Sequence, residues 1–253
     1  ADLSLNVSTA SRAPSILELF VDGVSPTSAA LEKGDMSLDP EQTYGATVDF
    51  SARTQRLAAK VTVYGQYIDG FINNVPLVTE DGEAVVRLTI VGGFPEFNYQ
   101  QVDALFAGAN AAVKIVPTDW LELRTRGAMV RARDITNDGF IVFIPPDVLS
   151  QEVTLTRRKL WGMEEVRLGV SGSYTAEQTR IDLNQDFSPP PGAFFLLGAS
   201  FSASIPVAGG RKLSGSVEGR NLTNQTYRSY LSRLRYFADE PGLDVVMRAK
   251  LEF

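Results

Sequence analysis

The 253-residue sequence contains no cysteine and no histidine. Without cysteine there can be no disulfide, zinc ribbon, iron–sulfur cluster or thiol nucleophile. Without histidine there can be no Ser-His-Asp triad, no histidine metal site and no histidine general base. Carboxylates, lysines and tyrosines alone remain for acid–base work, which weighs against an enzyme. No metal and no cofactor is expected. Excess positive charge is lacking too: 24 Lys and Arg face 30 Asp and Glu, a net charge of −6. That balance is not the electrostatic footprint of a nucleic-acid binder. Long hydrophobic runs are also missing. The longest near-apolar stretch, residues 193–199, falls far short of the roughly 18–20 residues of a membrane-spanning helix. No signal peptide is visible. The chain opens at Ala1 directly into alternating sequence, as expected of a processed chain or a piece of a longer one.

What is present is alternation. Leu3, Leu5 and Val7 alternate with Asp2, Ser4, Asn6 and Ser8, which gives a strand one apolar and one polar face. The pattern recurs at Tyr44, Ala46, Val48 and Phe50, at Leu57, Ala59, Val61 and Val63, and at Leu105, Ala107, Ala109, Ala111 and Val113. It returns at Leu121 and Leu123, at Val166, Leu168 and Val170, and at Phe195, Leu197, Ala199 and Phe201. Leu213 and Val217 continue it, and Leu243, Val245, Met247, Ala249, Leu251 and Phe253 close the chain with it. With a short strand near 153–155, about ten strands are expected, and no segment has a convincing helical period.

The connections strictly alternate in length. Residues 54–56, 117–119, 158–164 and 207–210 read as short turns. Residues 11–42, 72–101, 134–149, 181–192 and 222–242 read as long loops. A meander whose turns are all short at one rim and long at the other matches an outer-membrane β-barrel. Alternation alone also fits a soluble half-exposed sheet. Three features favour the membrane. Strands of about 10 to 16 residues exceed the usual 5–6 of soluble sheets. Tyr44, Trp120, Trp161, Phe194, Tyr227 and Phe253 fall near strand ends, where interfacial girdles form. The apolar faces carry no charge over most strands, as contact with hydrocarbon demands.

Four motifs then appear in order. Ser11-Arg12-Ala13-Pro14-Ser15 followed by Glu18-Leu19-Phe20 resembles the RAPS..EL segment of TonB-dependent outer-membrane receptors. Glu32-Lys33-Gly34-Asp35 and Leu38-Asp39-Pro40-Glu41 are similar to that family's GN..L.PE stretch. Asn221-Leu222-Thr223-Asn224 with Tyr227 resembles its NL.N..Y segment, and Pro241-Gly242 before a strand ending in Phe253 resembles its C-terminus. Two departures stand out: the strand after Glu41 offers only Asp49 as an inward acid, and Leu243 replaces an expected Arg after Pro-Gly.

The resemblance implies an all-β fold, an antiparallel transmembrane β-barrel in the bacterial outer membrane. The chain would be the last ten strands of a plugged barrel of roughly 22 strands. It implies uptake of a scarce nutrient such as a ferric siderophore, energised through TonB acting on a plug. Plug and remaining strands would lie outside this sequence, possibly on another chain, because open sheet edges are not tolerated in lipid. Lipid, lipopolysaccharide and the barrel-assembly machinery are further expected partners, the last reading Leu251 and Phe253 as its signal. Absent histidine weighs against a histidine-ligated haem or nickel site in this part.

Candidate sites follow from parity. Glu122, Arg124, Arg126, Arg167, Glu218, Arg220 and Arg248 share the inward face, as plug contacts or as a wet wall of paired charges. Their mixed signs fit a plugged lumen better than an ion filter of one sign. Arg131 and Arg133 fall on the outward face above the membrane band, where Arg pairs with lipopolysaccharide phosphate. Arg228, Tyr230, Arg233, Arg235 and Tyr236 form a basic-aromatic stretch in the last long loop, either engaging an anionic ligand or packing on neighbouring loops. Residues 134–139 lack calcium-loop spacing and read as a turn. Two other readings stay open: a passive porin-like channel, and a soluble β-sandwich that binds carbohydrate or cleaves glycosides, for which no carboxylate pair can be nominated.

Overall fold

The computed structural model describes residues 1–25, 30–81, 83–90, 92–182, 185–207 and 211–252. Ten strands form one antiparallel meander in which each pairs with the next. They are β1 (Asp2–Arg12), β4 (Glu41–Arg53), β5 (Leu57–Pro76), β7 (Gly92–Thr118), β8 (Leu121–Asp134), β10 (Val148–Leu160), β11 (Met163–Thr175), β12 (Phe194–Val207), β13 (Arg211–Arg220) and β14 (Asp244–Glu252). Four short strands decorate the long loops: β2 (Asp22–Ser25), β3 (Ala30–Lys33), β6 (Val86–Thr89) and β9 (Gly139–Phe140). β3 lies parallel to β7, while β2 pairs with β3, β6 with β7 and β9 with β8. Among the described residues no helix is long and apolar enough to cross a membrane, which says nothing of strands.

The register keeps one face wet across the whole sheet. Asp2 pairs with Ser51, Ser51 with Lys60, Lys60 with Ala112, and Ala112 with Arg126. Arg126 continues to Ser150, and further along Ser200 pairs with Glu218. The opposite face carries Leu5, Val48, Val63, Ala109 and Met129 in one row. A one-residue slip anywhere would exchange the faces, so the period of two is what aligns them.

The sheet does not close on itself: β1 and β14 do not pair with each other. β1 is exposed along its entire length, and β14 nearly so. The accessible surface is 15441 Å², against about 11,000 Å² for a compact soluble protein of this mass. Most of the excess is the two bare faces of a curved sheet.

Among the described residues dry packing is concentrated at the long-loop end. Val102, Ala104, Ala132 and Ile141 form a buried cluster, with Phe71, Phe106 and Ile144 against it. A five-residue helix, α1 (Ile16–Phe20), sits in the first long loop. Its period is too short to read in sequence, but its start is specified chemically. Ser15 accepts from the Glu18 amide while Glu18 accepts from the Ser15 amide, a capping box. Gly34 lies where a Cβ would stand 2.7 Å from the helix backbone, so the loop can pass only as glycine. Arg12 bridges Glu18 at 2.9 Å and Glu41 at 2.6 Å, and Glu41 accepts from the Ile72 amide at 2.6 Å. This arginine thereby ties β1, α1, β4 and β5 at the long-loop rim.

Two boundaries differ from the sequence reading. The strand expected near 153–155 spans Val148–Leu160, because Arg157, Arg158 and Lys159 break the apolar rule without breaking the pairing. The loop read at 72–101 is largely strand, since β5 and β7 stay paired out to Pro76 and Phe97. The girdle is also smaller than expected. Tyr44 stacks on Tyr67 with ring centres 6.2 Å apart, but Phe194 stacks on Tyr227 at 4.6 Å. Phe194 has the parity opposite to the apolar column Phe195, Leu197, Ala199, and Tyr227 lines the concave side. Phe253 lies outside the described residues.

Candidate functional site

The concave face is a polar wall. Glu122 holds Lys114 at 2.6 Å and Arg124 at 2.5 Å. Glu218 holds Arg220 at 2.8 Å and Arg248 at 3.5 Å. Each carboxylate is flanked by two cations, as cross-strand and diagonal spacing allows. Arg126 and Arg167 form no ion pair among the described residues. Arg124, Arg126, Glu152, Glu218 and Arg220 surround an open concavity of about 960 Å³ between β8 and β14. All seven residues assigned to the wall by parity stand on it. Lys114, Asp49 and Glu152 belong with them. Asp49 accepts from Thr62 at 2.5 Å, so the single inward acid after Glu41 is already engaged within the wall.

Above the wall the long loops close into a second body, and the last loop is its centre. Arg233 pairs with Glu32 of the first long loop at 2.7 Å. Its guanidinium lies 4.4 Å from the ring of Phe97 in the second and 5.6 Å from Phe143 in the third. Arg235 pairs with Asp186 of the fourth, both side chains almost fully buried, and stacks on Tyr230 and Tyr236 at 5.0 and 4.5 Å. Tyr236 donates to the same Asp186 at 2.5 Å. Burial first, and the Asp186 charge second, push its phenol well above the usual tyrosine range. Phe97, Phe187 and Tyr236 continue the contact at ring spacings of 5.2 and 5.3 Å. The last loop therefore touches all four of the others.

Of the two readings of this stretch, the contacts described are those of packing on neighbouring loops. Tyr230 and Arg235 are buried and Arg233 nearly so. Arg228 is half-exposed but held by Asp239 at 2.5 Å and by the Arg235 carbonyl at 2.7 Å. Of their partners, Glu32 was read only as part of a family motif, and Phe97, Phe143 and Asp186 were not singled out in sequence.

The outward pair is likewise engaged. Arg131 grips Asp147 through two hydrogen bonds of 2.6 and 2.8 Å. These bonds hold the Asp147 carboxyl below the ordinary carboxylate range. Arg133 lies 3.3 Å from Asp138 and over the Phe140 ring. Arg131 is thus paired within the chain. Asp134 is buried, and each of its oxygens accepts from the turn, from Thr136 and Asn137. That is a turn, as read. Leu251 is exposed on the convex face.

Comparison with known proteins places this geometry. The family model described as "TonB dependent receptor-like, beta-barrel" matches residues 2–222. No curated protein matches by sequence. Among solved structures the chain is similar to the copper transporter OprC, with 20% identity and a TM-score of 0.72, covering 99% of this chain and 36% of that one. It is similar to the FrpB iron transporter from Neisseria meningitidis, with 13% identity, a TM-score of 0.63 and coverage of 98% and 36%. The siderophore receptor PirA from Acinetobacter baumannii gives 12% identity, a TM-score of 0.63 and coverage of 98% and 38%. At these identities the likeness is one of fold, and the chain spans a little over a third of each structure's length.

Proposed function

Because this chain belongs to the family of TonB-dependent receptor-like β-barrels, we propose that it forms the C-terminal wall of an outer-membrane receptor importing a scarce nutrient. A ferric siderophore or a similar metal-bearing ligand is the substrate class. TonB supplies energy by pulling on a plug that fills the lumen. The observation that carries this reading is the open ten-strand meander, with a concave face charged along mid-strand and a convex face whose charges stand only towards its two rims. A wall of this kind requires water or a polar partner on one side, hydrocarbon on the other, and further strands at β1 and β14.

The plug docks on the concave face. Arg126 and Arg167 supply its cationic contacts, while Glu122 and Glu218 keep their neighbouring cations neutralised. The chemistry is binding and release, and no covalent step is needed. The neighbours' titles name transporters of copper and iron and a siderophore receptor, which supports a metal-bearing ligand without selecting one.

The test is isolation of the intact protein from outer membranes, with identification of every polypeptide that accompanies it. A plug-bearing segment, on the same chain or a second one, is the expected result, together with ligand uptake that ceases when TonB is removed. A closed ten-strand pore with steady conductance and no plug would replace this reading with the passive channel.

A further inference from the structure

The hairpin β10–β11 carries a feature that transport does not use. β10 pairs with β8 only as far as Leu155, opposite Leu121. Its pairing with β11 continues to Leu160 opposite Met163. Thr156 still donates to the Trp120 carbonyl, so four residues of β10 overhang the neighbouring turn, about 13 Å at 3.3 Å per residue. The column Val153 and Leu155, on the convex face, continues into Arg157 and Lys159. Along one face, apolar side chains give way to cations within one strand. Residues 156–163 hold three cations and no acid, in a chain whose net charge is −6. Arg157 and Arg158 make no ion pair among the described residues. Lys159 meets Glu164 only at 3.4 Å and stays well exposed, while Glu165 is held instead by Lys212 at 2.8 Å.

The tip is stranger still. Trp161 and Gly162 form a two-residue turn with φ of 48° and 82°. Such a turn needs left-handed backbone at both positions and favours Asn-Gly. A bulky side chain there is strained, and Trp161 is 89% exposed. A strained, unpacked tryptophan gains nothing inside the chain. Its amphipathic ring suits the boundary between hydrocarbon and headgroups, and basic stems beside it can lie along apolar surface with their charges outside.

We propose that the β10–β11 hairpin is a membrane anchor, in which Arg157 and Lys159 on the lipid-facing column bind anionic phospholipid headgroups while Trp161, beyond them at the tip, lies at headgroup level. This rests on the outer-membrane reading above and adds a lipid preference at the short-turn rim. The charge switch on the lipid-facing column selects phospholipid over a protein partner.

The experiment uses the intact receptor in bilayer nanodiscs of phosphatidylcholine with a quarter phosphatidylglycerol, counting retained lipids by native mass spectrometry. Wild type is expected to retain phosphatidylglycerol preferentially. The double variant Arg157→Gln, Lys159→Gln should lose that preference by about tenfold, since each near-surface cation attracts anionic lipid. Trp161→Asn, which makes the favoured turn and so keeps the hairpin folded, should retain fewer lipids of both kinds with the preference intact. Unchanged preference in the double variant overturns the anchor. So does a photo-crosslinker at Lys159 that captures a protein and no lipid. Failure of the receptor to enter the bilayer at all would instead overturn the outer-membrane reading beneath it.

Discussion

The strand wall and the loop layer are made by the same chain but solve opposite problems. In the wall, side chains alternate outward and inward and few are buried on either face. Among the described residues Val166 is the one buried apolar residue there, whereas the others sit in the long loops or the strand ends that feed them. Charges on the wall pair in partly exposed, flexible contacts. In the loop layer, Arg235 and Asp186 pair with almost no solvent contact, under a lattice of rings. The difference teaches where each region obtains its stability. The wall depends on what covers it, lipid outside and a filled lumen inside. The loop layer excludes water by itself.

The sharpest way to break this comparison is Arg235→Ala. Removing one partner of a buried pair leaves the other charge stranded, at a cost of about 3–5 kcal/mol. Amide hydrogen exchange of the intact receptor should then accelerate at 186–189 and 230–237 while the wall strands keep their protection. Unchanged exchange would mean that the loops are not one packed body. Next in size is Arg233→Lys, which keeps the charge but loses the planar stack on Phe97 and Phe143. It is expected to cost about 1–2 kcal/mol. A double-mutant cycle with Glu32→Gln separates the stack from the ion pair, because only the pair couples to Glu32.

The legibility of the two regions follows the same division. The wall could be read from single residues, because a period of two assigns Glu122, Arg124 and Glu218 to a face without knowledge of any neighbour. The ten strands and the long–short rhythm of turns were legible for that reason. Loop contacts depend on partners far apart in the chain. Arg233 meets Glu32 across 201 positions, and no local pattern encodes that meeting. Composition identified the basic-aromatic stretch but not whether it faces a ligand or its own loops. Within the wall, β10 was read too short because the cations of its overhang resemble a loop. The short strands β2, β3, β6 and β9 were missed because two to four residues carry no period.

A smaller effect tests the rim between the two regions. The Asp147 carboxyl is lowered chiefly by the Arg131 hydrogen bonds. Its contribution is complete above the ordinary carboxylate pKa near 3.9 and fades as pH falls through the lower folded value. Acidification from pH 5 to pH 3 should loosen protection near Asp147 in wild type more than in Asp147→Asn. The site is partly open to solvent, so the difference is modest. Equal loosening in both proteins would assign the acid sensitivity to other carboxylates.

The smallest expected effect is the most informative about the wall. Glu122→Gln removes the carboxylate between Lys114 and Arg124. The group faces the lumen and keeps about a quarter of its exposure. A contact of that kind contributes about 0–1 kcal/mol and weakens with salt. The unfolding midpoint of the intact receptor should therefore shift slightly at low ionic strength and not at all in high salt. If instead the loss is several kcal/mol and insensitive to salt, Glu122 is buried in the assembled receptor. The plug would then press on this stretch of β8 and exclude water there. The variant thus separates a wet gap from a dry interface on the concave face.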